Sequence, residues 1–369
     1  MKRIVSVLFA ALLLCGCAGN QTGEQPPQES TQTAETISED PHALRLTQES
    51  NVRKATYEGK SAYTEFMSLA QKEFLIPGLK QVLTPQGIAV CPTTGRTYIS
   101  AYVVDDIPSV VCVTEPVTHQ LVAEYHMYNA DGTPMTSHVG GVAVTEEYLY
   151  LSNTLDADGS YSIAAIPLAE LPGEGNHDIT VTETIPMAVS PSMMNYSGGY
   201  LWVGNFYHPK ADYNLSPNMN YTTGEGEYGC YILGFDMTDG HNRLLGQDFP
   251  MPDVILAAPD RIQGMTLTGE NQVVLSQSYG RANDSALLVY RLDLKESPDL
   301  ELTLRDTKIP AFVLDGHRLQ RSINAIPMSE GLTVDPQGKV LVLFESGAIR
   351  YEDGKHRTSY VWTMTVNEK

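Results

Sequence analysis

Gln263-Gly-Met-Thr-Leu267, the turn Gly269-Glu-Asn271 and then Gln272-Val-Val-Leu-Ser276 decide the architecture. The pattern is a polar residue, a glycine, alternating apolar positions, a turn and a second β-rich run. Alternation with period two is the mark of a strand with one buried face, and the residues between the runs tolerate the positive φ of a tight hairpin. The same phrase opens at Gln86-Gly-Ile-Ala-Val90, Gly140-Gly-Val-Ala-Val144 and Glu330-Gly-Leu-Thr-Val334, with a degenerate copy at Ser192-Met-Met-Asn-Tyr196. Partner strands follow at Thr97–Tyr102, Tyr148–Ser152, Tyr200–Gly204 and Lys339–Phe344, and further strands at Ser109–Thr114, Ser162–Ile166, Cys230–Phe235 and Leu287–Leu292. Serial units of short antiparallel strands predict an all-β chain folded as a single β-propeller. Five copies favour five blades, and six remain open if an insertion hides a degenerate unit.

The units start at 87, 141, 192, 264 and 331, spaced by 54, 51, 72 and 67 residues. These exceed the roughly 40–50 residues of common propeller repeats. The excess is placed in Tyr207 to Gly229 and Asp306 to Arg321. Only 39 residues follow the last start, enough for three strands, so the blade needs a fourth from elsewhere if no edge is to stay open. Glu73-Phe-Leu-Ile-Pro77 is the expected donor, closing the ring with N- and C-terminal strands in one sheet. Short helical turns are expected only in Ser61–Ala70 and Ser346–Tyr351.

The chain divides into residues 1–16, 17–45 and 46–369. Lys2 and Arg3 precede an apolar run, Ile4 to Leu14, too short for a stable membrane anchor, so residues 1–16 read as a signal peptide. Residues 17–45 are polar, acidic and almost free of large apolar side chains, a tether that cannot offset its own ordering entropy. Residues 46–369 form the propeller. Three cysteines lie within it: Cys91, Cys112 and Cys230. The first two sit in or beside strand-like apolar runs, which favours buried thiols over a disulfide. With 44 acidic against 24 basic residues the net charge is −20, which repels polyanions, so nucleic acid is not an expected partner. A monomer is expected.

Leu14-Cys-Gly-Cys17 resembles the lipoprotein signal of bacteria, which implies lipidation of Cys17 and an extracytoplasmic position on the cell membrane. Glu330-Gly-Leu-Thr-Val-Asp-Pro-Gln-Gly338 and Gln263-Gly-Met265 resemble the repeats of the gluconolactonase, NHL-repeat and streptogramin-lyase propellers. Ser278-Tyr-Gly-Arg-Ala-Asn-Asp-Ser285 is similar to a run in secreted bacterial propellers. Resemblance to the gluconolactonases implies one divalent cation, such as calcium, held by Glu330 with Asn153 and Asn205. In the alternative, Glu330 and Gln86 cap backbone amides.

In a propeller, the turns entering inner strands and those leaving second strands open on one face, around the channel mouth. The entries supply Gln86, His138, Ser192, Gln263 and Glu330. The exits supply Tyr102, Asp105, Asn153, Asn205, Tyr207, His208, Ser278, Arg281, Asn283, Asp284 and Glu345. Resemblance to the lyases implies His138 and His208 as an acid–base pair; otherwise each is structural. Arg281 is the expected anchor for an anionic group, or else pairs with Asp284 or Asp260. Asp156-Ala-Asp-Gly159 lacks the later residues of a calcium loop and reads as a hairpin turn. No nucleophile elbow, His-Glu-x-x-His, phosphate loop or dinucleotide fingerprint occurs. The expected function is binding of an extracellular small molecule, glycan or peptide at the mouth. The alternative is a metal-dependent lactonase-type hydrolase or lyase using the same residues.

Overall fold

Each repeated phrase forms the inner strand of an antiparallel sheet, and five such sheets close into a ring. The computed structural model describes residues 40–104, 107–153, 160–210, 221–223, 226–240, 243–269 and 271–366. Cys17, Asp105 and the Asp156–Gly159 turn lie outside the described residues. Blade 1 runs Thr84–Val90, Thr97–Tyr102, Val110–Thr114 and Leu121–Tyr128 from the axis outwards, and blade 2 runs Val142–Val144, Tyr148–Ser152, Tyr161–Pro167 and Glu183–Met187. Blade 3 is Met193–Ser197, Tyr200–Gly204, Cys230–Asp236 and Val254–Ala258. Blade 4 is Ile262–Thr268, Gln272–Gln277, Ser285–Arg291 and Leu319–Ala325. Blade 5 joins Ser329–Val334, Val340–Phe344 and Tyr360–Met364 to an outer strand from the other end of the domain, Ala70–Leu75.

Closure is therefore by the expected route, with Phe74 opposite Val361, but pairing begins at Ala70 and is over before Pro77. Within this strand the Lys72 ammonium lies 5.3 Å from the Tyr360 ring centre and 6.0 Å from that of Trp362.

The glycines of the phrase pack the ring axis. A Cβ on Gly264 would lie 2.6 Å from the Glu330 carbonyl oxygen, and one on Gly331 2.8 Å from the Ile88 nitrogen. Neighbouring inner strands thus touch backbone to backbone, which is what a five-bladed ring requires. Five apolar cores fill the five seams between blades. One of them, between blades 1 and 2, combines Val111 and Ala123 with Leu149 and Ala164. Cys91, Cys112 and Cys230 are buried free thiols in these cores.

Two crossings account for part of the long spacings and differ from the simple insertions expected. Gly175–Thr180 leaves blade 2 and pairs in parallel with the outer strand of blade 1. The hairpin Leu300–Leu304/Thr307–Val313 leaves blade 4 and extends blade 3, again in parallel. Each crossing stitches a blade to the one before it in sequence and covers an open edge.

A belt of residues 42–69 crosses the closure. Asn176 N–H donates to the His42 carbonyl, Gly78 donates to the Thr47 carbonyl, and Gln48 Nε2 donates to the carbonyls of Leu75 and His119 at 2.7 and 2.8 Å. Farther along, the belt makes a one-turn 3-10 helix, Ser61–Tyr63, and a short α-helix, Thr64–Leu69, close to the expected helical turn. Tyr57, Tyr63 and Phe66 enter the seam between blades 4 and 5. A second 3-10 turn, Ile349–Tyr351, lies within the other expected segment.

Candidate functional site: a carboxyl pair at the channel mouth

Glu330 enters the inner strand of blade 5 and Glu345 leaves its second strand, so the hairpin register brings the two side chains together. Glu330 is 3% exposed, and its carboxyl is hydrogen-bonded to that of Glu345. Gln263, at the same position in blade 4, donates Nε2 to Glu330 Oε1 at 3.2 Å; Gln86, its counterpart in blade 1, donates Nε2 to Glu345 Oε2 at 2.9 Å. Three successive copies of the phrase thus supply one polar cluster.

Two carboxyls this close and this dry cannot both ionise cheaply. Loss of hydration and the facing charge of Glu345 raise the Glu330 pKa far above the usual carboxylate range, so Glu330 keeps the proton and donates it to Glu345. Burial also pushes Glu345 up, to about 7, although bonds from Tyr351, Gln86 and Glu330 and the charge of Arg350 favour its ionised form. Near neutral pH the pair therefore offers one acid proton and one carboxylate that is about half ionised.

A shelf of flat side chains borders the pair. The Tyr351 hydroxyl is bonded to Glu345, and burial with that neighbouring charge keeps it protonated. Arg350 donates to the Tyr102 hydroxyl, and its guanidinium carbon lies 5.3 Å from the ring centres of both Tyr102 and Tyr351. His138 packs on Tyr102 with ring centres 4.1 Å apart; loss of hydration there, together with the Arg350 charge, lowers its pKa, so the imidazole is neutral at pH 7. Arg281 sits 4.9 Å over the outer side of Tyr351.

Backbone strain marks the entries to this mouth. Arg261 and Met328, each two residues before a phrase, have φ of 60° and 66°, and the β-branched Val139 has 41°. Hydrogen bonds hold the first two: Ser278 N–H donates to the Arg261 carbonyl and Glu345 N–H to that of Met328. Strain held in place by such bonds clusters at working sites.

The other expected residues have partners of their own. Tyr207 is 3% exposed and belongs to the seam between blades 3 and 4, its ring against Gly229. Asn205 is buried, with Oδ1 accepting from Tyr231 N–H at 2.7 Å and Nδ2 donating to the Gly229 carbonyl at 3.1 Å, and Asn153 bonds Ser162. These amides pin strands. Among the described residues no group of three or more His, Cys, Asp or Glu side chains has metal-binding spacing.

His208 stands edge-on to Tyr279 at 4.5 Å, in surroundings distinct from those of His138. Ser278 bonds Ser285, and Asn283 closes its own turn on the Tyr279 carbonyl. The expected ion-pair partners of Arg281 are also corrected. It forms a forked pair with Asp353 at 2.8 and 2.9 Å, whereas Asp284 accepts from the Tyr63 hydroxyl at 2.6 Å and Asp260 pairs with Arg261. Asp284 is thus a belt anchor. Arg350 and Tyr351 were not singled out from sequence. Their signal is position, since they follow Glu345 in the same exit loop.

No protein-family model matches the chain, and no curated protein sequence does. Among solved structures it is similar to aldose sugar dehydrogenase from Streptomyces coelicolor in its PQQ-bound form, at 11% identity and a TM-score of 0.40 over 80% of this chain and 96% of that one. A gluconolactonase from Xanthomonas campestris matches at 12% identity and 0.32, over 88% and 96%. Hydrazine synthase from Kuenenia stuttgartiensis matches at 14% identity and 0.34 over 71% of this chain, which spans only 56% of that one. Likeness this remote carries no chemistry across, and what the mouth can do follows from its own side chains.

Proposed function

We propose that the mouth binds a hydroxyl-rich, uncharged molecule, a small sugar-like compound or the end of a glycan, on an extracytoplasmic protein tethered through Cys17. The observation that carries this reading is the Glu330–Glu345 pair. It presents carboxyl oxygens that share one proton, flanked by the amides of Gln86 and Gln263, a mixed set suited to hydroxyls, which both donate and accept. The exposed imidazole of His138 and guanidinium of Arg350, which lie over Tyr102 and Tyr351, offer flat surfaces to the apolar face of a ring. Anionic ligands are disfavoured at the pair itself, because a second anion there would meet Glu345. The tether reading rests on the charged start, the apolar run and Leu14-Cys-Gly-Cys17.

The test is calorimetric titration of the protein with a panel of neutral monosaccharides, sugar lactones and oligosaccharides, beside the Glu330→Gln variant. Binding by the parent and at least tenfold weaker binding by the variant, about 1.4 kcal/mol, is the expected result. Equal binding by both overturns it.

A second reading follows from the half-ionised Glu345. A carboxylate with its pKa near the working pH is suited to take a proton from water or from a carbon acid. Hydrolysis of a bound lactone would then rise with pH through about 7 as Glu345 ionises, followed by acid release in a pH-stat.

A further inference from the structure

Five of the chain's 24 basic side chains line one open groove of about 620 Å³ between the belt and the loop that joins the last two strands of blade 5. They are Arg53, Lys54, Lys80, Lys355 and Arg357, and Glu352 is the one acid among the described lining residues. This concentration occurs in a chain of net charge −20, where carboxylate partners are abundant. Two of the cations do have them: Lys80 pairs with Glu49 at 2.5 Å, and Lys355 lies 3.5 Å from Asp284. Among the described residues Arg53 and Lys54 pair with no carboxylate.

The groove is built to stay in shape. Arg357 donates Nε to the Ser346 carbonyl at 2.8 Å and Nη2 to those of Gly347 and Ala348 at 3.1 and 3.0 Å, which fixes its guanidinium and leaves Nη1 uncommitted. Asn51 Nδ2 donates to the Gly347 carbonyl and Thr56 Oγ1 to that of Lys355, so the belt segment bearing Arg53 and Lys54 is pinned on both sides. A fixed guanidinium lining the same open cavity as two unpaired cations on a pinned segment is a partly preorganised anion receptor, since part of the ordering cost is met before the ligand arrives.

We propose that this groove binds an anionic group, a carboxylate or a phosphate, of a soluble ligand. It is separate from the mouth and does not depend on the reading given there. The two share one loop: Lys355 N–H donates to the carbonyl of Arg281, which covers Tyr351.

The test is calorimetric titration of the full chain with inorganic phosphate, trigalacturonate and neutral maltotriose, at about 20 and about 150 mM salt. Parent protein is compared with the Arg53→Gln/Lys54→Gln double variant and with Glu330→Gln. Binding of at least one anion is expected, weakened about fivefold or more by the double variant and by the higher salt, and unchanged by Glu330→Gln. Phosphate alone binding identifies a phosphate ligand, and trigalacturonate alone a carboxylate one. If neither anion binds, or if the double variant binds both as well as the parent, the proposal fails. Maltotriose binding that is lost in Glu330→Gln but kept in the double variant belongs to the mouth and leaves the groove to be judged on the anions.

Discussion

Two buried glutamates in this domain have opposite surroundings. Glu124, on the outer strand of blade 1, is 0% exposed, and its two carboxylate oxygens accept the backbone N–H groups of Arg45 and Leu46 at 2.6 and 3.0 Å. Glu330 is nearly as dry, yet its neighbour is another carboxyl. A buried carboxylate with donors on both oxygens is a pin, and here it fastens the belt to the sheet. A buried carboxyl facing a second one is a liability to folding, of the kind retained where a protein acts. The difference separates parts of the molecule that hold it together from parts that act.

The largest effect should come from the pinned side. Removing residues 40–69 strips Tyr57, Tyr63 and Phe66 from the seam between blades 4 and 5 and frees Glu124, so cooperative thermal unfolding should be lost. A truncated domain that melts like the parent would show the belt to be ornamental. Glu124→Ala is expected to lower stability by about 3 kcal/mol in denaturant titration, because two backbone donors lose their acceptor.

At the mouth the sign reverses. Glu345 has a folded pKa of about 7, above the roughly 4.3 of an exposed glutamate. Its contribution to stability is thus fully present below about pH 4 and is lost as pH rises through 7. Glu330→Gln keeps a donor facing Glu345 and removes one ionisation, so it should stabilise the domain by about 1–3 kcal/mol at pH 8 and by little at pH 5. Melting curves of parent and variant across that range check this, and a variant less stable than the parent at pH 8 would make the pair another pin. The smallest change in stability, under about 1 kcal/mol, is expected for exposed Arg350→Gln. Its mark should instead be a raised His138 pKa in a proton NMR titration, because the repelling charge is gone.

How far the sequence reveals this depends on what kind of constraint is involved. The glycine phrases were legible because closing the ring imposes the same backbone contact at successive seams, and Gly87, Gly264 and Gly331 report it directly. The closing strand was legible from an unpaired edge. Gly175–Thr180 and Thr307–Val313 were not, because parallel pairing to a neighbouring blade leaves no local period to read. Among site residues, the rule that gathers entries and exits brings Gln86, Gln263, Glu330, Glu345 and Tyr102 into one cluster. Tyr207 instead fills a seam and Asp284 holds the belt, where exposure depends on what the belt and the neighbouring seam cover. The rule could not show that Glu330 and Glu345 touch, since that needs the register of one hairpin, Ser329 against Phe344.

The most direct test of the shared proton is a pH titration of the glutamate carboxyls by carbon-13 NMR, in the parent and in Glu345→Gln. One carboxyl titrating near pH 7 in the parent and absent from the variant is the predicted result. If every glutamate in the parent titrates below about pH 5, the pair is two ordinary carboxylates and the account of the mouth is wrong.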